Sequence, residues 1–149
     1  MKKIILLLLA FILAACSFGA RSEFDANRKT WQNSGVTHYR FSLHIGCFCP
    51  FRDQMPITIE VQNGEVISMT APDGTPITAA DPGYETFSRY ATMGRIFSTL
   101  EAGLKGDADE VTVTYDPAHG FPSEIYFDYI KAAMDDELSL SVSEFEVLK

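Results

Sequence analysis

The chain has 149 residues, and 20 Asp and Glu against 12 Lys and Arg give it a net charge of −8. So acidic a polypeptide is a poor fit to nucleic-acid binding by phosphate neutralisation or to charge-driven binding of anionic lipid. Its length suits one domain, large enough to bury roughly two-thirds of its unfolded surface.

The chain opens with a positive segment, Lys2-Lys3, followed by an apolar run from Ile4 to Leu13 and the small residues Ala14-Ala15. This is the layout of a cleaved export signal, and the run is shorter than the ~20 apolar residues that span a bilayer. The next residue is Cys16, whose thiol can accept a diacylglycerol. Residues 1–15 therefore read as a lipoprotein signal peptide, Cys16 as the lipidated residue, 16–22 as a tether and 23–149 as one folded domain. Each buried acyl CH₂ contributes about 0.8 kcal/mol, so a multiply acylated cysteine, palmitate included, is a stable anchor in a bacterial cell envelope. Ser17, where Asp would retain a lipoprotein in the inner membrane, favours the outer membrane if the host has one. Cleavage removes two lysines and leaves 134 residues with 10 basic and 20 acidic side chains, a net of −10. Membrane attachment then falls to the acyl chains alone.

Beyond the tether, Glu23 to Asn33 has helical character, with Phe24, Asn27 and Trp31 on one side and Gly35 placed to end it. Thr37 to Ile45 alternates. Tyr39, Phe41, Leu43 and Ile45 share one side, and His38, Arg40, Ser42 and His44 the other, as in a half-buried strand. Ile57–Val61 and Glu65–Thr70 flank Asn63-Gly64, a strong hairpin signal because both turn residues need positive φ. A two-residue turn sets Val61 opposite Val66. It also leaves Ile67 and Met69 on the outer side unless a bulge resets the register. After a proline-rich loop, Thr86 to Leu104 reads as a second helix, with Thr86 as N-cap, an apolar stripe of Phe87, Tyr90, Phe97, Leu100 and Leu104, and Gly106 as its stop. Three further alternating strands follow, around Val111–Tyr115, Ile125–Tyr129 and Leu138–Val142.

The order is a helix and three strands, twice over, with local echoes between the halves that suggest a weak internal duplication. Short loops between alternating strands imply antiparallel meanders. The expected fold is a two-layer α+β domain: two helix-plus-three-strand units forming an antiparallel sheet, with the helices on one face.

Gly46-Cys47-Phe48-Cys49-Pro50 is the one stretch with distinctive chemistry. In an oxidising compartment two nearby thiols tend to pair. An extended strand holds residues i and i+2 about 6.5–7 Å apart, near the limit for a disulfide, so Gly46 and Pro50 would have to bend the chain. A structural disulfide, a redox-active pair, thiols without a role, and a metal site formed by Cys47 and Cys49 with His44 or His38 all stay open. The metal reading matches no common zinc spacing, and exchange sites usually place C-x-x-C at a helix N-terminus.

Other groups read more simply. Asp107-Ala-Asp109-Glu110 and Asp135-Asp136-Glu137 lack the ligand spacing of a calcium loop and read as solvated turns. His119 has no identifiable nucleophile or base partner. The chain carries no G-x-S-x-G, P-loop, Rossmann or H-E-x-x-H pattern, so no catalytic constellation is recognised and no cofactor is expected, nor any metal beyond the weak candidate at His44, Cys47 and Cys49. His38, Arg40, Ile67, Met69, Tyr126 and Asp128 are the candidates for a binding face on the side of the sheet left open by the helices.

Several of these elements together have a familiar pattern. They are Trp31, Tyr39-Arg40-Phe41, Gly46-Cys47-Phe48-Cys49-Pro50, Asn63-Gly64, Asp73-Gly74, the Val111–Asp116 run, and Gly120-Phe121-Pro122 before Ile125. The pattern resembles a bacterial family of small lipoproteins carrying a domain of unknown function. The resemblance implies a lipoprotein with one domain, and no activity or substrate. Two functions are expected from the chain as a whole. One is a lipid-anchored module that binds an envelope protein or small ligand through its open sheet face or through the Cys47–Cys49 loop. The alternative is a thiol-disulfide protein or sensor using Cys47 and Cys49.

Overall fold

A computed structural model describes residues 19–149. The expected signal peptide, Cys16 and the first residues of the expected tether lie outside the described residues. Helix α1 occupies residues 19–33, so it already includes residues 19–22, expected above as tether. Strands β1 (His38–Gly46), β2 (Ile57–Gln62) and β3 (Glu65–Thr70) follow, then helices α2 (Tyr84–Arg89) and α3 (Met93–Ala102), then β4 (Glu110–Tyr115), β5 (Pro122–Asp128) and β6 (Leu138–Val147).

The six strands form one antiparallel sheet in the order β3-β2-β1-β6-β5-β4. Each unit contributes a meander, and the two meanders meet where β1 pairs with β6 at the centre. The expected two-layer α+β arrangement is present. The inner face carries Tyr39, Phe41, Leu43 and Ile45 of β1, Ile57, Ile59 and Val61 of β2, Ile125 and Phe127 of β5, and Leu138, Leu140 and Val142 of β6. The helices cover that face. Phe24 of α1 meets Phe97 of α3 edge-on at 5.9 Å, and Trp31 meets Tyr39 at 5.4 Å. Phe87 of α2 closes over Phe51.

Among the described residues, twelve large side chains, including Phe24, Phe41, Phe87 and Phe127, are fully buried. Each contributes about 1.5–3 kcal/mol on burial. An exposed ion pair is worth about 0–1 kcal/mol, so the inner face governs stability and the outer face is free to vary.

The Asn63-Gly64 turn has the expected form, with φ of 52° and 83° and Gln62 paired with Glu65. The question of register is resolved by a bulge. Val61 pairs with Val66, but Glu60 pairs with Ser68, which leaves Ile67 as the extra residue. The shift returns Met69 to the inner face opposite Ile59, where it is 5% exposed. Met69 is therefore a core residue and not part of the open face.

The second helix departs further from expectation. Residues 90–92 break it, α2 starts after Gly83 instead of being capped by Thr86, and Thr92 caps α3 with its Oγ1 accepting from Arg95 N at 3.2 Å. The physical reason is phase. Phe87 and Ile96 are both fully buried, yet nine residues on an unbroken helix make about two and a half turns and would point them to opposite sides. The extended backbone at Thr92 (φ −140°, ψ 152°) resets the phase so that both helices face the sheet. A strand hydroxyl supports the break: Met93 N donates to Tyr39 Oη at 3.1 Å. Gly106, with φ of 112°, ends the helical stretch as expected.

Candidate functional site

The outer face is built by the other half of each strand's alternation. It divides into two regions. In the first, β1 carries polar groups engaged by neighbouring carboxylates, although His38 Nδ1 is buried without a partner. His38 Nε2 lies 2.8 Å from Glu60 Oε1, Arg40 Nη2 2.6 Å from Glu146 Oε2, and Ser42 Oγ donates to Glu144 Oε2 at 2.6 Å. A bulge in β6 makes this possible. Arg40 pairs with Glu146 but Ser42 with Ser143, and Glu144 takes a positive φ of 50°. The extra residue turns Phe145 inward, against Phe121 at 4.6 Å and Trp31 at 5.9 Å, and leaves Glu144 and Glu146 outside.

The second region lies over β4, β5 and β6. Register aligns Thr112 with Tyr126 and Ser139 in one row, and Thr114 with Glu124 and Ser141 in the next. His44 extends the second row on β1. These side chains, apart from His44, line a shallow groove of about 250 Å³. Tyr126 is its one large apolar surface, at 42% exposure. No cation lines it. The Tyr126 phenol is held above its ordinary pKa, first by partial burial and then by the carboxylates of Glu137, Asp128, Glu110 and Asp136. Asp128, next outward position on β5, is raised by burial and then by Asp136, Glu137, Glu110 and Asp109. The groove therefore offers hydroxyl donors and acceptors in a negative field. That chemistry suits a neutral or cationic hydrogen-bonding group and disfavours an anion.

The nominated residues do not form a single site. Tyr126 and Asp128 share β5, whereas His38 and Arg40 lie on β1 with their own carboxylates. Ile67 is exposed on the β3 bulge, four strand spacings or about 19 Å from β5. Thr112, Thr114, Glu124, Ser139 and Ser141 were not singled out from sequence. Their alternation assigns them an outward side, but only the strand order places β6 beside β5.

Cys47 and Cys49 are joined as a disulfide with their Cα atoms 5.2 Å apart. The bend the sequence required is present: Cys49 N donates to Cys47 O at 2.8 Å, closing a turn that an extended strand lacks. Gly46 lies at its base, where a Cβ would meet the Ser139 hydroxyl and require it to rotate away. Among the described residues, no three His, Cys, Asp or Glu side chains gather in a way that could hold a metal ion. His119 Nδ1 lies 3.1 Å from Asp116 Oδ1, and its ring lies 5.0 Å from that of Phe145, as part of the aromatic packing around Trp31. The acidic turns are put to local use. Asp136 Oδ2 accepts from Ile130 N at 2.6 Å and Asp109 Oδ2 from Lys131 N at 3.1 Å.

One charged cluster was not foreseen. Glu101 of α3 receives Arg21 and Arg28 of α1 at 3.0 Å each and Lys105 at 3.0 Å. Lys105 and Arg21 hold its carboxyl down to about 2. Both arginines also lie over the Phe24 ring, 5.1 and 5.7 Å from its centre, so the cluster fastens α1 to α3. No helix among the described residues is long and apolar enough to cross a membrane.

A family of unknown function, DUF6174, matches residues 23–147, nearly all of the described chain. No curated protein and no solved structure matches it.

Proposed function

We propose that this chain, which belongs to the DUF6174 family of unknown function, is a bacterial cell-envelope lipoprotein anchored through Cys16, and that its outer sheet face is a binding surface. The observation that carries the binding role is the groove over β4, β5 and β6. It gathers four hydroxyls, a carboxylate and a half-exposed tyrosine, while on the neighbouring half of the face Glu60, Glu146 and Glu144 are engaged by His38, Arg40 and Ser42. The ligand it fits is a neutral or cationic hydrogen-bonding group, on a small molecule or at the surface of an envelope protein. The anchor is supported by Leu13-Ala14-Ala15-Cys16 after the apolar run.

Each half of the reading has its own test. Cys16→Ala should abolish radiolabelled palmitate incorporation, and undiminished labelling refutes the anchor. For the face, a photoreactive amino acid at position 126 should give a discrete adduct in envelope preparations, and one at position 40 should not. No adduct at 126, or equal adducts at both, refutes the groove.

Thiol exchange at Cys47–Cys49 is a second reading, favoured by the loop's position at the surface with Phe48 between the cysteines fully presented to solvent. A reduction potential below about −300 mV marks an inert structural bond and removes it.

A further inference from the structure

Of the six exposed large apolar side chains among the described residues, three lie together at one end of the sheet, apart from Ile67, Tyr126 and Val147. Phe48 is 87% exposed, Met134 89% and Ile130 57%. They belong to the β1–β2 and β5–β6 loops, which register places side by side because Gly46 pairs with Ser139. Gly46, Cys47 and Phe48 share a shallow cleft with Asp135 and Glu137. Hydrogen bonds extend this rim from Asp136 to Ile130 and from Lys131 to Asp109. Asp109 and Glu110 in turn line a groove with Ala20 and Arg21, the first turn of α1.

Helix α1 thus begins on this rim. Its far end is at the opposite end of the sheet, where Trp31 packs on Phe121 at 6.0 Å. Only residues 17 and 18 lie between Cys16 and Gly19, so Cys16 is held within about 11 Å of the start of α1 however those residues run. From β4 to β1 the rim is three strand spacings wide, about 14 Å. A membrane that holds Cys16 therefore lies against the same end of the domain that carries Phe48, Ile130 and Met134.

We infer that this rim is the membrane-facing end of the domain, with Phe48, Ile130 and Met134 seated in the interface of the bilayer that holds the anchor. The inference rests on the lipidation of Cys16 proposed above and adds an orientation to it. Its charge specifies the lipid. Asp109, Glu110, Asp128, Asp135, Asp136 and Glu137 outnumber Arg21, Arg52 and Lys131 on the rim, and the Asp128 carboxyl is raised first by burial and then by Asp136, Glu137, Glu110 and Asp109. An anionic surface repels such a rim, whereas a zwitterionic one presents ammonium groups at the depth of the carboxylates. Apolar and aromatic side chains at that depth exchange water for the headgroup–acyl boundary. The sheet then stands on its end, and the groove over β4, β5 and β6 faces sideways, clear of the lipid.

The test uses the full acylated chain, purified from membranes and reconstituted into vesicles of brominated phosphatidylcholine. Phe48→Trp and Met134→Trp each place a reporter on the rim, and native Trp31 at the far end is the reference. The added tryptophan should lose about half of its emission to bromine while Trp31 keeps its own, and phosphatidylglycerol in the vesicles should relieve the quenching. Substitution at either position is at an exposed side chain, so failure of one variant to fold leaves the other to decide. Vesicles that retain an acylated protein with both reporters unquenched overturn the orientation alone, and point instead to a cationic protein as the occupant of the rim. Absence of the acyl groups overturns the anchor and the orientation with it.

Discussion

Gly120 gives the sharpest check on the tertiary arrangement. It sits in the β4–β5 loop with φ of 77°, held by Gly120 N donating to Asp116 O at 2.8 Å. A Cβ built there would lie 2.6 Å from Asn27 O and 2.8 Å from Thr30 Cβ, both on α1. Gly64 has nearly the same backbone, φ of 83°, but nothing lies within 4 Å of its Cβ position. Gly64→Ala therefore meets only the left-handed backbone penalty, about 1–2 kcal/mol. Gly120→Ala meets that penalty and an overlap with a helix carbonyl that cannot swing aside, a further ~1–3 kcal/mol. The expected totals are about 1–2 and about 2–5 kcal/mol. Urea unfolding followed by Trp31 fluorescence measures both, because Trp31 packs against Phe121, the residue after Gly120. If Gly120→Ala costs no more than Gly64→Ala, the loop does not dock on α1 as described, and the join between the second meander and the first helix is wrong.

Three other outcomes follow from single contacts. Tyr39→Phe removes the acceptor of the buried Met93 N–H and should cost about 1–3 kcal/mol in thermal or urea unfolding; a neutral substitution would mean another group caps α3. Glu101 has a folded pKa of about 2, below its ordinary 4.5, so the unfolded chain binds more protons in that interval. Its contribution is fully present above about pH 4.5 and is lost as pH falls towards 2. Stability measured across that window should fall less steeply in Glu101→Gln, and an unchanged slope would discount the cluster. Replacing both Cys47 and Cys49 by Ser opens a ring of three residues, for which loop-closure entropy predicts a loss of about 1.6 kcal/mol; a loss above about 3 kcal/mol would show that the bond supports more than its own loop.

Much of the site was legible before the fold. The outward positions of Thr112, Tyr126 and Ser139 follow from alternation, and the acidic field from composition. What was not legible is that these three share a row, since β6 follows β5 across a loop but its register is set by pairing. Met69 illustrates the reverse case. Strict alternation places it outside with Ile67, and a one-residue bulge at Ile67 returns it to the core, because burying Met69 against Ile59 outweighs one disrupted pair in the ladder.

From sequence alone the chain determines its elements wherever the cause is local. Period-two alternation makes β1, positive-φ residues make the Asn63-Gly64 turn, and proximity along the chain puts Cys47 and Cys49 within reach of each other. The order of charges and apolar residues before Cys16 likewise needs no partner to be read. The tertiary structure decided what depends on distant surfaces. It broke the second helix at Thr92 so that Phe87 and Ile96 could face one sheet, joined the two meanders through β1 and β6, and brought the start of α1 to the rim that bears Phe48 and Met134. Local backbone preferences are worth at most about 1–2 kcal/mol per residue, and each fully buried large side chain about 1.5–3 kcal/mol. Where the two conflict, packing wins, and packing is visible only once the chain has met itself.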